Sequence, residues 1–143
     1  MAGRFFDTRR FPLVVATIPS GEDAARDIGA FYAEWDEVLA RGRHAVILDM
    51  TRVDVHYIGA VERRATASEA ERRRDALRAG LIAEARVCPN TLVRATMTAF
   101  DWLAGRFFVH PIAHFATMEQ AERWIAEQLA RAPPLRVADD PVV

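Results

Sequence analysis

The 143-residue chain has no lysine, one cysteine and only two serines, Ser20 and Ser68. A lone Cys88 excludes an intrachain disulfide and a cysteine-cluster metal site. The seven glycines are scattered and form no Gly-x-Gly or Walker-type cluster. With no Gly-x-Ser-x-Gly elbow either, nucleotide hydrolysis and serine hydrolysis have no support. No apolar run approaches the ~18 residues a membrane-spanning helix requires. Charge of one sign is not in excess: the formal net charge is −1, which gives no global attraction to nucleic acid or to a membrane surface. All 19 Lys-or-Arg positions are arginine, in an alanine-rich chain. That bias reads as the coding habit of a GC-rich genome before it reads as a phosphate-binding device.

What is present describes a soluble globular domain. Hydrophobic residues make up 51% and charged residues 27%, which rules out disorder throughout. The length suits one domain able to bury a core without metal or disulfide. That domain is expected over residues 1–131, with 132–143 a loose tail containing Pro133-Pro134 and Asp139-Asp140-Pro141. The first ten residues are polar and charged, so no secretory leader is expected and the compartment reads as cytoplasmic.

The pattern predicts a hairpin first. Arg4 to Asp7 and the β-branched run Phe11 to Ile18 flank the polar turn Asp7 to Arg10. Ile28, Phe31, Trp35, Val38 and Leu39 then recur at helical spacing, with Gly42 as the stop. His44 to Met50 is a continuous apolar run holding Asp49, the mark of a strand covered on both faces. Ala60 to about Ala79 reads as one polar helix, stitched by Glu69 with Arg72 and Arg73, Glu71 with Arg74, and Asp75 with Arg78. Its apolar members are mostly alanine, so it can bury only a thin stripe. The second half of residues 81–88 reads as a strand, with a helix continuing from Ala60 as the alternative. Asn90 caps a further helix closed by Gly105. Phe107 to Phe115 is the last strand, and Pro111 argues for an edge position. Thr117-x-x-Gln120 is a capping box for a final helix with Ala121, Trp124, Ile125 and Leu129 inward. The alternation implies an α/β fold: a mostly parallel sheet of about five strands, an antiparallel N-terminal hairpin strand and about four helices.

The stretch Val46-Ile-Leu-Asp-Met-Thr-Arg-Val-Asp-Val-His-Tyr-Ile-Gly59 resembles the signature of STAS domains, the anti-sigma-factor-antagonist fold. The resemblance spans about Arg4 to Arg131 and implies a stand-alone, non-enzymatic interaction or regulatory module. Signalling members carry a phosphorylatable serine just before the glycine; here that position is Ile58, so the phosphoswitch is not implied. The partner surface it implies comprises Thr51, Asp54, His56, Tyr57, Arg63, Arg64 and Arg73, facing another protein.

Other constellations weigh less. Asp49, Thr51, Cys88, Asn90 and Thr117 are expected at the carboxyl ends of parallel strands, where ligands of α/β sheets collect. Asp49 has a simpler role in bonding loop amides, and Cys88 has no histidine placed beside it by sequence. His110 and His114 on a strand lie roughly 13 Å apart, too far to share an ion. The helix after Gly59 holds arginines without an aromatic residue among them to stack a base, so no nucleic-acid role follows. No catalytic residue, cofactor or metal is expected. A rival function is a small-molecule or lipid carrier with an apolar cavity lined by Trp35, Phe100, Trp102, Phe107 and Phe108. Self-association as a homodimer is expected from the thinly covered sheet face and the edge strand.

Overall fold

The computed structural model describes residues 3–21, 24–53, 59–92, 94–95 and 109–132. Its strands are β1 (Phe6–Asp7), β2 (Leu13–Thr17), β3 (His44–Asp49), β4 (Leu81–Val87) and β5 (Ile112–Phe115). Its helices are α1 (Ala24–Arg41), α2 (Ala60–Arg72), α3 (Arg74–Gly80) and α4 (Met118–Arg131). The strands form one sheet in the order β1-β2-β3-β4-β5, with β1 antiparallel to β2 and the other neighbours parallel. This is the α/β arrangement the alternation predicts.

Each face of the sheet has its own core. Val14, Ala16, Val46 and Leu48 meet Ile28, Phe31, Tyr32, Trp35 and Val38 of α1 and Leu77 of α3. On the other face Ala45, Ile47, Ala83, Ala85 and Val87 meet Ala121 and Ile125 of α4, with Trp124 and Leu129 beside them. Ala45, Val46 and Ile47 are fully buried, as a strand covered from both sides must be. Around α1 the rings of Phe6, Phe31, Tyr32 and Trp35 pack in a chain, with centroids 4.9 to 5.8 Å apart. Gly42 ends α1 at φ +133°, where a side chain would be strained.

Three elements differ from their sequence reading. The polar helix breaks at Arg73 (φ −106°, ψ 12°) into α2 and α3, because Arg73 turns its guanidinium inward to α1. The strand after it starts at Leu81, immediately behind Gly80, so the continuing-helix alternative is excluded. The last strand begins at Ile112; Pro111 has no N–H for the ladder and contributes only its carbonyl, which accepts from the Glu84 amide at 2.9 Å. Among the described residues β5 is an edge strand, as its proline suggested. The segment 96–108 and the tail from residue 133 lie outside the described residues.

Two carboxylates of α1 hold the N-terminal hairpin: Asp27 pairs with Arg4 at 3.0 Å, and Glu34 binds backbone amides. Glu34 Oε1 accepts the amides of Phe5 (3.0 Å) and Phe6 (2.8 Å), and the Gly3 amide donates to the Phe6 carbonyl. A Cβ on Gly3 would stand 1.9 Å from Glu34 Oε1. Glu34→Ala is therefore expected to lower stability by about 1–3 kcal/mol, since two backbone donors lose a charged acceptor. Gly3→Ala should destabilise wild type by displacing Glu34 and cost little more in the Glu34→Ala background. Urea unfolding of the double-mutant cycle checks this non-additivity.

Candidate functional site

Along α2, none of the thirteen residues is buried. It faces the sheet with Ala65, Thr66 and Ala70, side chains too short to reach the strands. α1, by contrast, brings large rings to the same face. The mismatch leaves a cavity of about 140 Å³ between α1, α2, α3 and the sheet. Its wall is mostly apolar: Ile28, Phe31, Tyr32 and Trp35 from α1, Leu48 and Met50 from the end of β3 and beyond, and Leu77 from α3.

The exception is on β4. Glu84 and Arg86 also line the cavity, and they are 2% and 5% exposed. Two residues apart on a strand, they share a face, opposite Val46 and Leu48 of β3. Arg86 Nε donates to Glu84 Oε2 at 2.8 Å, and its NH2 lies 2.7 Å from the same oxygen. Glu84 Oε1 is 3.9 Å from His110 Nε2, and that imidazole is pushed below its ordinary value chiefly by burial. Tyr32 is pushed well above the usual phenol range, mainly by burial and then by the Glu84 charge.

A second set of charges joins α2 to α1. Arg73 binds Asp36 of α1 through Nε (2.6 Å) and NH2 (2.9 Å), and pairs with Glu69 of α2 through NH1. Its guanidinium lies 5.3 Å from the Tyr32 ring centroid. Arg73 thus ties α2 to α1 at the spacing that leaves the cavity open. The Asp36 pairing raises Arg73 further above its already high value.

No family model matches this chain, nor does any curated protein or solved structure.

Of the partner surface anticipated from the sequence, Thr51, Arg63 and Arg64 are exposed. Arg73 is turned toward α1, its side chain 15% exposed and paired with Asp36. Asp54, His56 and Tyr57 lie outside the described residues. The strand-end group serves local turns. Asp49 Oδ1 accepts the amide (3.0 Å) and hydroxyl (2.6 Å) of Thr51. Asn90 Oδ1 accepts the Leu92 amide at 2.9 Å, and Thr117 accepts the Gln120 amide at 3.3 Å as the capping box predicts. Cys88 is buried and its thiol donates to the Asn90 carbonyl; burial pushes it up, away from the reactive thiolate. Among the proposed cavity residues Trp35 does line a cavity, while Phe100, Trp102, Phe107 and Phe108 lie outside the described residues. Sequence reasoning missed Glu84 and Arg86. The signal was there: two charges at alternate positions between Ala83, Ala85 and Val87.

Trp35 also anchors His44, which is fully buried. The indole N–H can only donate, so His44 Nε2 accepts it (3.2 Å) and Nδ1–H donates to the Gly42 carbonyl (3.1 Å). Burial pushes His44 below its ordinary 6.5, and protonation would break the Trp35 bond. The unfolded chain then binds protons that folded His44 and His110 refuse. Stability from this source is complete above about pH 6.5 and is lost as the pH falls below it, by up to about 1.4 kcal/mol per pH unit for each histidine. Urea midpoints at pH 7.5 and 5.5 check this: the drop should shrink in His44→Gln, which keeps a donor and an acceptor but does not titrate.

Proposed function

We propose that this chain is a non-enzymatic module that binds a small, largely apolar molecule in the cavity beneath α2. The observation carrying the proposal is the Glu84–Arg86 pair, buried in the wall of an otherwise apolar cavity. A buried ion pair of this kind contributes little net stability, and apolar replacements are often neutral or stabilising. A pair held there at such cost, beside unfilled space, is accounted for by something the space receives.

This reading is preferred to partner docking on the outer face of α2. Of the three arginines invoked for docking, Arg73 is committed within the molecule, to Asp36 and Glu69, while Arg63 and Arg64 are exposed. The size of the space favours a small molecule over a lipid as the cargo. About 140 Å³ is below the range of ~300–1,000 Å³ usual for drug-sized ligands. It suits one small molecule and is too small for a lipid chain.

Ala70→Leu tests the reading, because Ala70 lines the cavity from α2. Three added carbons should fill the space, raise stability by about 1–2 kcal/mol and raise Tm by a few degrees. The same change should abolish ligand binding. A variant that is more stable but binds as wild type does would contradict the assignment.

A further inference from the structure

Resting on the cavity reading, we infer that the Tyr32 hydroxyl selects the ligand: a molecule about the size of one six-membered ring, carrying a carbonyl-type hydrogen-bond acceptor that this hydroxyl meets.

Tyr32 lines the cavity from α1 and is 7% exposed. A tyrosine hydroxyl buried to this degree usually has a hydrogen-bond partner. Among the described residues, none supplies one. The side chain is held through its ring instead: Phe31 and Trp35 pack against it, and the Arg73 guanidinium lies 5.3 Å from its centroid. The oxygen is not sealed in by protein, so it opens on space that a ligand can reach. The surrounding charges give its direction. After burial, Glu84 and then Arg86 act most strongly on the phenol, ahead of Arg73 and Glu69. Glu84 and Arg86 stand in the cavity wall on β4, whereas Arg73 sits over the ring. The hydroxyl therefore points across the cavity toward the sheet.

An acceptor is what such a group requires of a ligand. Burial keeps the phenol protonated. Its oxygen shares lone-pair density with the ring, so it donates better than it accepts, and buried donors are left unmet less often than buried acceptors. Size sets the rest of the class: an apolar cavity of about 150 Å³ holds benzene, and this one is about 140 Å³. Thr66 brings a second hydroxyl to the wall, from α2. It is half-buried, and a helical threonine can turn its hydroxyl back to the carbonyl four residues earlier, so it does not require a ligand.

The test is a titration of the full chain, followed by protein NMR, with cyclohexanone and methylenecyclohexane. The two match in shape and differ in one oxygen. Water hydrates the ketone more strongly, so each probe is compared between wild type and Tyr32→Phe, which removes the hydroxyl and keeps the ring. Cyclohexanone should bind Tyr32→Phe about tenfold more weakly than wild type, and methylenecyclohexane no more weakly than before. Equal effects on the two probes, or none on either, would overturn the inference about class. So would a loss of ketone affinity in Thr66→Val that is absent from Tyr32→Phe. The ligand-free variant gives a second readout. With no bond to lose, Tyr32→Phe should unfold at the urea concentration of wild type or above it; a lower midpoint would mean that the hydroxyl already has a partner, and the inference would fall.

Ala70→Leu separates the two levels of failure. If it abolishes binding of both probes while Tyr32→Phe affects them alike, only the class is wrong. If the probes bind Ala70→Leu and wild type alike, or neither binds wild type, the cavity reading falls as well.

Discussion

The side chains that α2 brings to the sheet are too small to fill the space above it. Ala65, Thr66 and Ala70 stand where a helix of ordinary composition would place leucine or isoleucine. Hydrophobic burial therefore holds α2 only weakly, and its position is set by charge instead. Arg73, at the break between α2 and α3, reaches Asp36 on α1 and Glu69 on α2 at once. A guanidinium suits this task because its donors form a rigid fork that can serve two carboxylates. The helix is thus held over the sheet without descending onto it, and the remaining space is the cavity.

The opposite face shows what the sheet looks like when a helix does fill its share. α4 sends Ala121, Trp124, Ile125 and Leu129 onto Leu13, Ile47, Ala85 and Val87. The strands there offer small residues and the helix supplies the bulk. Beneath α2 the relation is reversed: the strands carry Leu48, Glu84 and Arg86, and the helix supplies little. Placing an ion pair on this face is consistent with space left for another molecule, because an apolar core is a poor home for charge unless something uses it.

Much of the architecture was legible in the sequence. β3 could be read from its unbroken apolar run, α1 from the spacing of Ile28, Phe31, Trp35 and Val38, and α4 from Thr117 and Gln120. These signals are local, and the structure honours them locally. The thin stripe of α2 was legible too, as a shortage of large side chains. What it leads to was not, because the depth of the gap depends on three elements far apart in sequence. The break at Arg73 was hidden for the same reason. Its pairing with Glu69 looked like ordinary helical stitching, and nothing near it announced Asp36, 37 residues away. On β4, Glu84 and Arg86 obscured the strand: two charges among alanines suit a helix surface as readily as a sheet.

Xenon is the most direct probe of whether α2 leaves space beneath it, because it enters dry apolar cavities without needing any particular chemistry. Diffraction from crystals held under xenon pressure should show one ordered atom bounded by Phe31, Trp35, Leu48 and Ala70. A structure with no xenon there, and with α2 settled onto β3 and β4, would contradict the account.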